Sequence, residues 1–249
     1  MVSYLARKFP QAEIYISVRN RILSSKLEGE WENVRAFENQ TVLDNSDVVF
    51  ICLLAQQARE VLPSLEFREH QEIISVMADM GLEELKSLTT PVQSHSVTLP
   101  VPFISEGECP LPVFPDSKIL RSLFGDDNYI LPMEDEASVF MHFAATALLS
   151  TVTRQLNTVS DWLGESTGDK KQAEIYMLTL FSGFLKNIPK DGDNQFPEAL
   201  KELSTEGGLN WQLINHIEES GHFDVLVEGL NGLRNRLLPK NGSTHSDSN

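Results

Sequence analysis

Residues 47–54, DVVFICLL, form an almost unbroken apolar run early in the chain. A strand has this composition when both of its faces are buried, as in a parallel sheet covered by helices on each side. Similar strand patterns recur at 13–20 and 72–78, and helix patterns occupy 4–9, 21–31, 56–65 and 82–88. This alternation predicts a doubly wound α/β domain.

The pattern changes at about Glu134. Residues 138–164 have a long helical pattern that is apolar on almost every face, and further helical patterns cover 169–188 and 213–238. We therefore predict an α/β domain over 1–133 and an all-α domain over 134–238. The proline-rich segment 98–118 predicts an extended crossing between the halves, and the polar residues 239–249 predict a disordered tail.

Charge and composition limit the partners of this chain. The 249 residues include 36 acidic and 20 basic side chains, for a net charge of −16. This charge argues against nucleic acid or an anionic membrane surface as a partner. Two distant cysteines, Cys52 and Cys109, indicate reduced thiols and a cytoplasmic location. No metal-ligand spacing, signal peptide or membrane-spanning run is present, so no metal is predicted.

An apolar helix in a small helical domain must be covered. The simplest cover is a second copy of the chain, so we predict a homodimer formed through the C-terminal helices.

Two adjacent glycines, Gly207 and Gly208, precede the last predicted helical segment in LSTEGGLNWQ. Bare backbone N–H groups at a helix start can bind a carboxylate. The same spacing also fits a plain turn in which Ser204 or Thr205 caps the helix. The residues alone leave both interpretations open.

The order of DNSDVVFICLL, EIISVMA, LPVP, an all-α half and TEGGLN resembles the pyrroline-5-carboxylate reductases, and more closely their reductase-like relatives with a GGLN motif. The resemblance extends from Val2 to Leu238. It implies a Rossmann domain that binds NAD(P)H, a helical domain that dimerises by interlocking, and a role in proline biosynthesis.

The resemblance implies cofactor-binding residues at the ends of strands. Arg19 would bind the 2′-phosphate of NADPH, because an arginine replaces the acidic residue that reads a 2′-hydroxyl. Without the resemblance, Arg19 would be interpreted as a surface residue of a turn. The other implied cofactor-binding residues are Ser17, Asn20, Asn39, Leu53, Leu54, Gln56, Met77 and Ala78.

The resemblance also implies a substrate site. Thr98 and Pro100 would line a cleft between the halves, and the N–H groups at Gly207 and Gly208 would hold a substrate carboxylate. Asn210 stands where the family has a threonine that donates to the substrate, and it is our candidate catalytic residue. An amide can donate and accept hydrogen bonds but cannot relay a proton as a hydroxyl does.

Three departures from the family are visible. The turn G-x-G-x-x-G is absent, and MVSYLARKFP matches the helix that should follow it, so about one strand and one turn of the pattern are missing ahead of Met1. Either Met1 is an internal methionine chosen as a start, or the chain lacks its first strand. A lysine and a proline of the family are replaced by Leu54 and Ala55. HFAATAL (142–148) lacks the family's glycines, and we interpret His142 as a core or interface residue.

Two functions remain. The first is an NADPH-dependent reductase that transfers hydride to a small imine or keto acid. The second is an inactive, dimeric relative with a binding or regulatory role. A dehydrogenase acting on a hydroxy acid is a weaker third possibility.

Overall fold

The computed structural model describes residues 1–238. They form two compact units: Met1–Ala144 together with residues 234–238, and Ala145–Leu233. The predicted fold class, a Rossmann-like α/β domain followed by an all-α region, is confirmed.

The first unit alternates strands and helices. Its strands are β1 Ile14–Ser17, β2 Val34–Phe37, β3 Val48–Ile51, β4 Glu72–Ser75, β5 Ser94–Thr98, β6 Pro110–Phe114 and β7 Tyr129–Pro132. Its helices are α1 Val2–Lys8, α2 Arg21–Glu30, α3 Asn39–Asp44, α4 Ala55–Val61, α5 Leu82–Leu88, α6 Lys118–Phe124 and α7 Glu136–Ala145. Short 3₁₀ turns follow at Leu62–Ser64 and Pro102–Ser105.

The strands form two sheets. β1 and β2 are a parallel pair, and the second sheet has the order β3-β4-β5-β6-β7. β3, β4 and β5 run parallel, β6 is antiparallel to β5, and β7 is parallel to β6. Among the described residues, no strand pairs with the second edge of β1 or of β3.

Alternation along β3 sorts its side chains onto two faces. Val49 and Ile51 join the apolar cluster that contains Leu43 and Leu62, whereas Val48 and Phe50 pack against the cluster around Phe124. Both faces of β3 are therefore covered, as the apolar run predicts.

Helix α1 is anchored on two sides. The ring of Tyr4 stacks on Phe124 at 5.2 Å between centroids, and its hydroxyl donates to Asp127 at 2.6 Å. Lys8 lies 2.9 Å from the same carboxylate. The amide of Asn33, just before β2, donates to the carbonyl oxygens at positions 6, 9 and 12. The helix is thus tied both to the five-stranded sheet and to the β1–β2 pair.

The second unit contains α8 Leu148–Thr167, α9 Lys170–Asn187, α10 Gln195–Leu203, α11 Leu209–Glu219 and most of α12 His222–Leu237. α8 and α9 form an antiparallel pair joined by Gly168, which takes the left-handed conformation with φ of 78°. No residue of α10, α11 or α12 is buried.

Three predictions about secondary structure were wrong. Residues 98–118 are not an extended crossing, because they contain the end of β5, a 3₁₀ turn and β6 of the first unit. The predicted single helix over 138–164 is divided, since α7 ends at Ala145 and α8 begins at Leu148. The segment 213–238 is also divided, at Gly221 with φ of 72°. The predicted disordered tail, 239–249, lies outside the described residues.

The acidic run MEDE, residues 133–136, supplies a cap for a neighbouring helix. Glu136 is partly buried, and its carboxylate accepts a hydrogen bond of 2.6 Å from the backbone N–H of Leu82. It therefore caps α5, whose own N-cap, Gly81, has no side chain. Burial raises the pKa of Glu136, opposed by that hydrogen bond and supported by the nearby charge of Glu83.

This contact predicts a pH-dependent effect on stability. A raised pKa in the folded state means that ionised Glu136 opposes folding, increasingly as the pH rises above the ordinary value of 4.5. Glu136→Gln keeps the acceptor without the charge, so it is expected to be more stable than the parent at pH 7 and equal to it below pH 4.5. Urea unfolding at several pH values measures both.

Glu136→Ala is the matched control. It removes the cap and is expected to lose about 0.5–2 kcal/mol of unfolding free energy at pH 7. A Glu136→Gln protein that lost as much as Glu136→Ala would contradict the assigned role.

Candidate functional site

The parallel strands place their carboxyl ends along one edge of the sheet. Because Ile51 pairs with Ser75, and Ser75 with Val97, the residues that follow β3, β4 and β5 lie side by side. Leu53 and Met77 occupy neighbouring positions just beyond β3 and β4, and Thr98 is the last residue of β5. This is the edge at which open α/β sheets bind ligands.

The end of β1 carries a polar group of predicted residues. The hydroxyl of Ser17 donates to the amide oxygen of Asn39 at 2.6 Å and accepts the backbone N–H of Arg19 at 3.2 Å. The side chain of Asn20 accepts the N–H of Leu23 and caps α2. Residues far apart in sequence are thus brought together around the start of two helices.

Arg19 contacts a residue that the sequence analysis missed. Its guanidinium donates to the side-chain oxygen of Gln57 in α4 at 2.7 Å. Gln56, the predicted residue, is exposed and makes no such contact, and Leu54 is 70% exposed at the N-cap of α4. Adjacent glutamines on a helix point about 100° apart, and nothing in the single sequence distinguishes them.

A cavity of about 1280 Å³ lies between β1 and β3. Its mouth at the carboxyl end includes the predicted residues Ser17, Arg19, Asn20, Asn39 and Leu53. Apolar side chains of both strands, of α1 and α2, and of the segments around α3 and α4 form most of its wall.

Cys52 follows β3 and lines this cavity. Its thiol is reachable from the cavity but is surrounded by protein atoms, and this desolvation raises its pKa to about 11, partly offset by the charge of the chain's amino terminus. The thiol is therefore protonated at neutral pH and is not an activated nucleophile.

Met77 and Thr98 are only 2% and 1% exposed. They therefore pack below the surface of this edge and cannot contact a ligand directly. Ala78 and Pro100 are partly accessible. The hydroxyl oxygen of Thr98 is buried without a hydrogen-bond partner. Nearby on the same strand, His95 bonds to the Thr89 hydroxyl at 2.7 Å, and burial lowers the pKa of its ring.

The glycine pair lies in the second unit, in the turn from α10 to α11. Gly207 has φ of 77°, a conformation that favours glycine, and Gly208 is the N-cap of α11. The suggested side-chain cap from Ser204 or Thr205 is not formed. The backbone N–H of Gly208 donates to the Thr205 carbonyl at 2.9 Å, so this donor is engaged within the turn.

Asn210 is also engaged within the turn. Its amide N–H donates to the Leu203 carbonyl at 3.2 Å and so caps the end of α10. Its remaining N–H and its oxygen are the groups that could contact a ligand. His142, in α7, is exposed and bonds through Nδ1 to the Ser138 carbonyl at 2.8 Å.

Within residues 1–238, no cluster of three or more histidine, cysteine, aspartate or glutamate side chains could hold a metal ion. None of the described helices is both long and apolar enough to cross a membrane.

Residues 1–79 match the family model described as "NADP oxidoreductase coenzyme F420-dependent". The fold is similar to pyrroline-5-carboxylate reductases of known structure. The enzyme from Streptococcus pyogenes is 16% identical, with a TM-score of 0.74 over 94% of this chain and 93% of the other. The one from Plasmodium falciparum, solved with NADP bound, is 10% identical, with a TM-score of 0.79 over 94% and 91%.

A third reductase, from Coxiella burnetii, is 13% identical and has a TM-score of 0.77 over 95% and 92%. No curated protein matches the sequence. The N-terminal third of the chain therefore carries the pattern of an NADP oxidoreductase. Over about 94% of its length the chain has the fold of the pyrroline-5-carboxylate reductases. The resemblance inferred from the sequence is confirmed at this level.

The hydrogen bond between Asn210 and the Leu203 carbonyl predicts that Asn210 contributes to the stability of the protein. Asn210→Ala removes the bond to Leu203 and is expected to lower the free energy of unfolding by about 0.5–1.5 kcal/mol, measured in urea. Asn231→Ala, an exposed position in α12, is the control and should leave stability unchanged or slightly higher. Equal stability of the Asn210 and Asn231 variants would show that the cap contributes nothing.

Proposed function

We propose that the chain is an NADPH-dependent oxidoreductase that reduces a small imine or keto acid by hydride transfer. The observation that carries the proposal is the polar group at the carboxyl end of β1, where Ser17, Arg19 and Asn39 meet at the same cavity mouth as Leu53. It lies within the residues that match an NADP oxidoreductase.

These residues fit one end of the dinucleotide. The Arg19 guanidinium, at an exposed position, offers a fork for the 2′-phosphate, for which it would exchange its present partner Gln57. Ser17 and Asn39 would contact the adenosine ribose. Bound NADPH would supply the hydride, and the protein would supply orientation and electrostatics. No glycine-rich turn for the pyrophosphate is present in the described residues.

Substrate recognition belongs to the same proposal. The partly accessible Pro100 would contact the substrate, with Thr98 supporting the edge beneath it. The first turn of α11, after Gly207 and Gly208, would hold a carboxylate, and Asn210 would donate to the reduced group. The cellular role that matches this activity is that of a cytoplasmic enzyme of proline biosynthesis. This role stays a prediction.

A catalytically inactive binding protein is the second candidate. One observation favours it: the amide of Asn210 and the N–H of Gly208 are already engaged inside their turn. Such a protein would keep the fold and lose turnover.

The cofactor preference can be tested at Arg19. The purified protein should bind NADPH saturably in a calorimetric titration, and Arg19→Ala should weaken this affinity about tenfold to hundredfold because a charge-assisted hydrogen-bond pair is lost. Affinity for NADH, which lacks the 2′-phosphate, should change little.

Lys26→Ala is the control, since it removes the same charge from the neighbouring helix α2. Absence of saturable NADPH binding would rule out the reductase. Binding without oxidation of NADPH by pyrroline-5-carboxylate or related imines and keto acids would favour the inactive alternative.

We further propose that the protein is a homodimer formed through the second unit. Within residues 145–233 only Ser160, Gly164, Ala173 and Met177 are buried. Large apolar side chains are exposed on every helix of this unit, among them Trp162, Leu178, Phe196, Leu213 and Val225, each more than 60% exposed. Such surfaces are typical of an interface and not of a monomer, and a second copy supplies a matching surface.

The dimer predicts a particle of twice 28.0 kDa by light scattering. Leu178→Glu, in α9, should shift the mass toward the monomer because the interface would bury an unpaired charge. Phe103→Glu, an exposed apolar position of the first unit, should leave the dimer intact. A parent protein of 28.0 kDa at micromolar concentration would contradict the proposal.

A further inference from the structure

Two walls of the cavity between β1 and β3 are strand edges that pair with no other strand among the described residues. Among residues 1–238, β1 pairs only with β2, and β3 pairs only with β4, yet residues 14–16 and 48–51 line the same cavity. A free edge presents a row of unpaired backbone groups, which proteins ordinarily cover.

The hydrogen bonds of β1 identify the groups that face the cavity. Ile14 and Val18 donate their N–H groups to the β2 side, at the carbonyls of Asn33 and Phe37, over 2.9 and 3.0 Å. Because successive residues of a strand direct their backbone groups to opposite sides, Tyr15 and Ser17 direct theirs toward the cavity.

The same alternation applies to β3. The carbonyls of Asp47 and Ile51 accept from Glu72 and Val76 on the β4 side, over 2.8 and 3.1 Å. Val48 and Phe50 therefore direct their N–H and C=O groups toward the cavity. Two rows of backbone donors and acceptors thus face the same space.

The two edges run in the same direction. Arg19, just after β1, is hydrogen-bonded to Gln57, which follows β3 in α4. The carboxyl ends of β1 and β3 are therefore at the same end of the cavity. A strand that runs parallel to one of them is parallel to both.

The remaining walls of the cavity, above and below the plane that contains β1 and β3, are apolar. Met1, Val2 and Leu5 of the α1 segment line one side, with the cluster that contains Phe50. Leu43, Leu62 and Leu65 line the other side, with the cluster that contains Val49. An occupant of this space must be apolar on both faces and polar along both edges, which describes the central strand of a parallel sheet.

We propose that this cavity is an acceptor site for one extended polypeptide strand with an uncharged, β-branched sequence, which inserts parallel to β1 and β3. The inserted backbone bonds to both edges and joins the two sheets into one. A dinucleotide does not satisfy these walls, because it carries no row of alternating amides; its proposed contacts lie only at the carboxyl mouth. The inference is therefore separate from the proposed reductase function.

The test uses the full chain and the peptide acetyl-Lys-Lys-Val-Ile-Val-Ile-Val-Lys-Lys-amide, whose lysines maintain solubility. Calorimetric titration should give saturable binding, and the bound peptide should raise the melting temperature of the protein. Lack of saturable binding would overturn the proposal.

Backbone methylation of the peptide tests insertion between two edges. One variant is N-methylated at both isoleucines and a second at the middle and last valines; these sets of N–H groups point to opposite neighbours. Each variant should bind at least about tenfold more weakly, because each loses two hydrogen bonds to one edge. Loss with only one variant would mean simple edge addition, and no loss with either would mean apolar adsorption; both results contradict insertion.

A protein variant provides an independent check. Tyr15→Pro removes an N–H group that faces the cavity and leaves the donors of Ile14 and Val18 to β2 in place. With an unchanged circular dichroism spectrum, it should bind the peptide several-fold more weakly, by about one hydrogen bond. Unchanged affinity in a folded Tyr15→Pro protein would contradict the assigned edge.

Discussion

The anchoring of α1 holds the first unit together. Tyr4 stacks on Phe124 and donates to Asp127 on the side of the five-stranded sheet. On the side of the β1–β2 pair, the amide of Asn33 donates to three carbonyl groups in the last turn of the helix and just beyond it. Hydrogen bonds between buried or half-buried groups are costly to leave unmade, so both attachments resist local opening. Their combined effect is to hold two sheets on either side of a cavity without direct pairing between β1 and β3.

The same arrangement determines what the carboxyl edge can do. Ser17, Arg19 and Asn39 are held near the cavity mouth, but each already has a protein partner. The proposed binding of a phosphate at Arg19 would therefore exchange one hydrogen bond for a stronger, charge-assisted one and would not order a free side chain. Affinity at such a site depends on the difference between the two bonds, not on the full strength of either.

How far the sequence predicts this molecule differs from element to element. The apolar run of β3 and the patterns of β1 and β4 were sufficient to predict a parallel sheet. β2 was missed because VRAF is short and half-polar, and β6 because Pro110 and Pro112 argue against a strand. β6 tolerates them because its pairing with β5 involves only Val113 and Phe114. A single sequence does not show which distant residues pair, so the hydrogen bond between Arg19 and Gln57 could not be predicted.

The sparse core of the second unit has a consequence for substitutions. A two-fold symmetric interface contains every contributing side chain twice, once from each copy. In the proposed homodimer, one altered codon at α8 or α9 would therefore change two places in the same contact surface, and its energetic effect would be doubled. This half of the chain should accept fewer substitutions at exposed apolar positions than a monomer's surface would.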